Sequence, residues 1–480
     1  MPPIVSASRL ASLLHPKSVA LIGASDRSGW SRLVYRNLVG AGFPGRIHLV
    51  NRRGARAHGH DTVRTCTEIG EDVDAAFMMV PQAGTLNALT DAAAAGIRNV
   101  LVLSSGFADA GEAGRQAQEE LVARARSLGV LLLGPNHMGF ANLVHRVAVT
   151  ALPGLPRAAG PVALVSQSGM AASAMLDFAA MTGVGLSHVV TLGNEAMVTA
   201  GHMLDCLAGD QHVAALALFL ESLRDPDVFA AAARRAAAAG KAVVVLKAGG
   251  SELAARAAAV HSGAPATGDA AVDDLFAELG VIRVRSIEDL VLTAGAAAHL
   301  GPLARPGIGV VSVSGGACVM VADQAAAAGA SLPALAPATR AALRQIIPGY
   351  ATAANPLDVT GGVVTDPAIL SRSIEVMSAD PAVGVVAVIT SLPWQPSEGR
   401  WPGQPLASAI GAGARGARVP VVCVPQAVQP VTACTRRVMA GAGIPYVIPG
   451  LRHAVTALRD LGWWSGRRHA LAGTGHPPHR

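Results

Sequence analysis

The chain has 480 residues, of which 51% are apolar, 3% aromatic and 15% charged, with a formal net charge of +6. That length suits about three domains, and the Ala, Val and Leu content lets them bury cores of small aliphatic side chains. Scattered arginines without interleaved rings argue against nucleic acid, the longest apolar runs (Val213 to Leu220 among them) fall far short of a bilayer span, and five cysteines with no CxxC pair exclude a disulfide framework or a zinc site. With no long apolar segment before Val19, the expected location is the cytoplasm, away from membranes.

Strands rich in Val, Ile and Leu alternate with Ala-rich helices, the rhythm of doubly wound α/β domains built on parallel sheets. Pro/Gly-rich seams at Pro153 to Pro161 and Gly301 to Gly307 set the expected boundaries. These give domains at 1–150, 151–303 and 304–465, followed by a disordered tail at 466–480. Three times a strand enters a small-residue turn and then a helix: at Val19 to Ser25, Val162 to Gly169 and Val310 to Ala317. The first turn of a helix leaves amides unpaired at the positive end of its dipole, and small residues let an anion approach them. Each junction is therefore a candidate phosphate cradle.

The first turn, Gly23 to Gly29, is neither GxGxxG nor a P-loop. The second strand, Arg46 to Val50, ends in Asn51-Arg52-Arg53, where an NAD site usually places an acid. Arginines there favour a phosphorylated ribose, in NADP or in coenzyme A, although two solvated arginines are also compatible. The series Ala24-Ser25, Gly42-Phe43-Pro44-Gly45, Val50-Asn51, Val80-Pro81, Ser105-Gly106-Phe107 and Gly134-Pro135-Asn136 resembles the CoA-binding domain of the NDP-forming (ADP-forming) acyl-CoA synthetases, the superfamily of succinyl-CoA synthetase. The resemblance implies that Gly23, Ser25, Asn51 and Pro81 border the CoA nucleotide. Arg52, standing where the family usually has Pro, lies beside them, and Asn136 lies toward the thiol end. His137 replaces the Cys, Ser or Thr usual after Asn136, putting bulk near that end.

In the second domain His261 sits in Val260-His-Ser-Gly263. Imidazole accepts and releases a phosphoryl group readily near neutral pH, although a lone histidine is more often structural. The segment Lys247-Ala-Gly, His261-Ser-Gly263, Gly268 and Phe276 to Val284 resembles the active-site segment of the same superfamily. That likeness implies a phosphohistidine at His261, with Glu221 orienting it. It also implies that Ser168, Gly169 and Met170 bind the phosphoryl group and that Gly193 and Asn194 line the same pocket. In the third domain Ser314, Gly315 and Gly316, with Asn355-Pro356-Leu-Asp358 downstream, look like the second phosphate site of the ADP-forming enzymes.

The resemblance implies a Rossmann-like CoA-binding domain followed by two flavodoxin-like domains, together the α-type subunit of an acid–CoA ligase. No stretch resembles the ATP-grasp module. ADP/ATP and Mg2+ are therefore expected on an ATP-grasp β-type partner in a hetero-oligomer, with no metal held by this chain. The implied reaction interconverts acyl-CoA, ADP and phosphate with a small carboxylic acid, CoA and ATP. Two rival expectations are a catalytically silent CoA-binding or regulatory protein, suggested by His137 and Val260, and an NADP-dependent oxidoreductase.

Overall fold

The apolar runs become strands buried along nearly their whole length. A computed structural model describes residues 3–251, 253–254, 269–395 and 403–473. The chain divides into two compact units, residues 1–177 with 185–290, and residues 178–184 with 291–480.

The first unit holds two sheets. One comprises β1 (Ser18–Ile22), β2 (Arg46–Val50), β3 (Ala75–Met78), β4 (Asn99–Val102) and β5 (Leu131–Leu133), in the parallel order β2-β1-β3-β4-β5. The other contains β6 (Gly139–Asn142), β7 (Val147–Thr150), β8 (Val162–Ser166), β9 (Leu186–Thr191), β10 (Ala215–Leu220), β11 (Ala242–Lys247) and β12 (Ile282–Val284), ordered β12-β11-β10-β8-β9-β6-β7. Its β8 to β12 are parallel, and the β6–β7 hairpin adds an antiparallel edge. The boundary drawn at residue 150 therefore falls beyond two strands that pair in the second sheet.

The second unit carries β13 (Gly307–Ser312), β14 (Leu357–Asp358), β15 (Val383–Ile389) and β16 (Val421–Val424), ordered β14-β13-β15-β16. A final helix, Leu451–Gly473, carries residues 466–473, which composition assigned to a disordered tail. Packing accounts for this helix: Trp464 is buried, and Ser465 Oγ accepts the Leu303 amide at 2.8 Å. No helix among the described residues is long and apolar enough to cross a membrane.

The first and third sheets, and the parallel strands β8 to β12 of the second, repeat one order: β1 lies between β2 and β3, β8 between β9 and β10, and β13 between β14 and β15. In such sheets the crevice outside the carboxyl ends of the first and third strands is where ligands bind. Each small-residue junction noted in the sequence follows the first parallel strand of its sheet (β1, β8 and β13), at that switch point.

Phe229, in the helix Pro226–Ala238, is fully buried and lies 5.6 Å from Phe276, ring centroid to centroid. Removing such a ring leaves a cavity the backbone cannot collapse into, so Phe229→Ala is expected to cost about 3–5 kcal/mol. Urea unfolding of the two proteins measures the difference.

Candidate active site

Six strand ends of the first unit converge on a cavity of about 850 Å3. Pro81 follows β3, Ser104 and Ser105 follow β4, and Asn136 and His137 follow β5. From the second sheet come Gln167 to Met170 after β8, Gly193 to Glu195 after β9, and Glu221 to Arg224 after β10. Of the residues singled out from the sequence, Pro81, Asn136, Ser168, Gly169, Met170, Gly193, Asn194 and Glu221 all line this one space.

The anion cradle is built locally. Ser166 Oγ accepts the Ser168 amide at 3.1 Å and donates to the Ser168 carbonyl at 2.7 Å, closing a tight turn at the end of β8. Ser168 Oγ then accepts the Ala171 amide at 3.3 Å and starts the helix Gly169–Thr182. The first-turn amides of Gly169 and Met170 have no intrahelical acceptor by helix geometry, and the helix dipole makes this end favourable to an anion. A Cβ at Gly169 would come within 2.6 Å of Met138 Cγ, so the close approach needs glycine.

Facing the cradle, Glu221 sits on a turn gripped by Gln167. Gln167 Oε1 accepts the Glu221 and Ser222 amides at 2.5 and 3.0 Å, while its Nε2 donates to the Ser222 carbonyl at 2.8 Å. The same Nε2 donates to Glu195 Oε2 at 2.7 Å. Glu195, whose role the sequence did not show, has a side chain only 1% exposed and a left-handed backbone with φ +51°. Its other oxygen accepts the Ala200 amide at 2.7 Å, and Arg224 Nε lies 3.6 Å away. Burial pushes the Glu195 carboxyl up to about 7, against the Ala200 amide, Arg224 and Gln167, which favour the ionised form.

The two sheets are tied at the cavity floor. Asn136 Nδ2 donates to Asn194 Oδ1 at 3.2 Å. Asn194 Nδ2 donates to Asp109 Oδ1 and Gln118 Oε1 at 2.8 and 3.0 Å. His137 is 2% exposed and meets Phe77 edge to face with centroids 6.0 Å apart. Its Nδ1 lies 3.1 Å from both the Thr191 carbonyl and the Gly139 amide. The ring that stands in place of a small residue is thus largely folded between the sheets instead of filling the space beyond Asn136.

Burial pushes both His137 and His188 down to about 4. The unfolded chain takes these protons near the ordinary 6.5, so between 6.5 and 4 it binds more protons than the folded chain and stability falls as pH drops. Glu195 acts with opposite sign: its raised pKa makes stability fall as pH rises from about 4.5 to about 7. Burial also lowers His48, His58, His145 and His202, so the histidines outweigh Glu195: the urea midpoint is expected to drop as the pH is lowered from 6.5 to 5, and His188→Gln is expected to flatten that drop.

Gly23, Ser25, Asn51 and Arg52 lie outside the cavity lining, at the carboxyl ends of β1 and β2. Asn51 Nδ2 donates to the Ala24 carbonyl at 2.7 Å and Oδ1 accepts the Arg53 amide at 2.9 Å, so this side chain shapes the loop. The Ser25 amide donates to Ser31 Oγ at 2.9 Å. Ser31 Oγ lies 2.8 Å from His58 Nε2, and His58 Nδ1 lies 3.0 Å from Asp26. The exposed Arg27, Arg52 and Arg53 leave a cationic rim beside this loop, a charge suited to phosphate groups.

The second unit repeats the serine turn. Ser312 Oγ donates to the Ser314 carbonyl at 2.8 Å and accepts its amide at 3.0 Å, and Ser314 caps the helix Gly315–Ala328. A Cβ on Gly315 would come within 2.7 Å of Asp358 Oδ2, while a Cβ on Gly316 has no close neighbour but Ser314 Oγ at 3.9 Å. His261 lies outside the described residues.

The first unit thus places a cationic strand-end loop and a helix-start anion cradle at the switch points of two doubly wound sheets. Family descriptions match along the chain in the same order. A CoA binding domain matches residues 17–142, a succinyl-CoA ligase like flavodoxin domain 159–297, and a Ligase-CoA domain 308–391. The chain is 30% identical to the acetate–CoA ligase [ADP-forming] I subunit alpha of Pyrococcus furiosus, over 79% of this chain and 82% of that one. It is 33% identical to a trans-feruloyl-CoA synthase from an unknown prokaryotic organism, over 81% of this chain but only 56% of the relative's length. Among solved structures, the Ca. Korarchaeum cryptofilum dinucleotide forming acetyl-coenzyme A synthetase 1, in complex with phosphate and ADP, superposes with a TM-score of 0.85 at 26% identity. That match covers 98% of this chain and 99% of the other. The chain belongs to the ADP-forming acyl-CoA synthetase family.

Proposed function

We propose that the chain is the α-type subunit of an ADP-forming acid–CoA ligase, with the cavity of the first unit as the place where thioester and phosphate meet. The observation that carries this reading is the convergence of Asn136, on the CoA-binding sheet, with the Ser168–Gly169 cradle and the Glu221 turn on the next sheet. Acyl-CoA and HPO4²⁻ exchange there to give acyl phosphate and CoA thiol, the proton passing from phosphate to sulfur. The amides at the helix start hold the phosphate, whose charge they stabilise without reorganising. His261 then attacks phosphorus and releases the carboxylate, and Glu221 orients the imidazole. The Ser314–Gly316 cradle receives the phosphoryl group on its way to ADP. ADP and Mg2+ are held by an ATP-grasp partner in a cytoplasmic hetero-oligomer; of this, the name of the Pyrococcus relative as a subunit alpha supports the multi-subunit assembly.

Incubation with a panel of acyl-CoA thioesters and [32P]phosphate is expected to place acid-labile, alkali-stable label on the chain for at least one thioester. CoA binding with no label for any of them would favour a silent binding protein. Net ATP formation is expected only when the partner is added.

A further inference from the structure

Glu195 combines three local costs: a carboxylate with a 1% exposed side chain, a left-handed backbone on a residue other than glycine, and a place beside the anion cradle. What it holds explains them. Gln167 uses its whole amide: Oε1 takes the Glu221 and Ser222 amides, and Nε2 gives to the Ser222 carbonyl and to Glu195. Glu195 is the one side chain in this set: the other three partners of the Gln167 amide are backbone groups of the Glu221 turn, and Glu195 anchors that amide from the opposite side.

We propose that Glu195 is a positioning residue of the phosphoryl site: its carboxylate fixes the Gln167 amide, and that amide holds the Glu221 turn at the cavity wall. The inference rests on the function proposed above only for its kinetic consequence. Protonation works against the arrangement, because both oxygens of Glu195 face donors, Ala200 N–H and Gln167 Nε2, and an O–H turned toward either one breaks a hydrogen bond. The charged groups nearest this carboxylate are Arg224 and, farther off, Asp225.

The test uses the full-length chain as wild type, E195Q, Q167A and the double variant at pH 8. Amide hydrogen exchange at Glu221 and Ser222 is expected to quicken tenfold or more in E195Q. Unchanged protection there overturns the proposal whatever the chemistry does. Labelling by acyl-CoA and [32P]phosphate is expected to slow about tenfold in each single variant, with half-saturation by acyl-CoA little altered. The double variant should be no slower than the slower single, since residues acting through one another do not add. Multiplying effects would show that Glu195 acts independently of Gln167. Activities are compared at a temperature where melting shows E195Q to be fully folded, because its amide must turn an NH2 toward Ala200 N–H or Gln167 Nε2 and loses one hydrogen bond. A wild type that takes no label, with exchange faster in E195Q, would sink the ligase reading and leave the positioning role intact.

Discussion

His261→Ala is expected to abolish phosphoryl labelling, with a loss of about a thousandfold or more, while CoA binding stays within a few-fold of wild type. A phosphoryl acceptor must be a nucleophile in its neutral form at working pH and a stable enough leaving group afterwards, which imidazole satisfies and the hydroxyls of Ser168 and Ser222 do not without a base. His137, which lines the cavity, is an unsuitable substitute: its Nδ1 is engaged by backbone and its ring is buried between the sheets. Losing a covalent carrier removes a whole step, which is why the effect is expected to be far larger than loss of a binding contact. Intact-mass measurement after incubation with acyl-CoA and phosphate, with the variant beside wild type, reads the result.

Gly193→Ala is expected to be the most damaging single methyl group at the site. Its φ of +59° disfavours any side chain by about 1–2 kcal/mol. The larger penalty is steric, because a Cβ there would lie 2.2 Å from the Pro135 carbonyl oxygen and 2.4 Å from that of Asn136. Those are backbone atoms held by the Asn194 amide, which donates to the Pro135 carbonyl at 2.9 Å, and by the Ala196 amide on the Gly134 carbonyl at 3.1 Å. Relief therefore means parting the β5 and β9 loops, and the loss is expected to exceed about 4 kcal/mol or to prevent folding. Gly59→Ala is the matched control: its φ is +81° with nothing within 4 Å of a Cβ, so only the backbone cost of about 1 kcal/mol is expected. Thermal unfolding of the two variants separates conformational strain from collision.

The switch-point turns were legible in the sequence because a strand buried on both faces is a continuous apolar run, and a turn that lets an anion reach the backbone must use small residues. Ser168, Gly169 and Ser314 announced themselves in that way, while Gly193 was reached only through the family resemblance. The β6–β7 hairpin did not, since an antiparallel edge pair carries no local mark of which sheet it joins. Residues 466–473 read as a tail from their Gly, His and Arg, yet the helix continues there because Trp464 and Ser465 are packed against the rest of the second unit. Glu195 was visible only as one acid in a turn. Its meaning lies in Gln167, 28 positions away, and in burial that no spacing encodes.

The central claim is that one cavity couples thioester cleavage to phosphate capture. A single-turnover experiment tests it by measuring CoA thiol released and phosphate bound to the chain together, with and without phosphate. The account predicts thiol and bound phosphate rising in equal amounts, and no thiol when phosphate is left out. Thiol appearing at the same rate without phosphate, or phosphate binding covalently without thiol release, would contradict it.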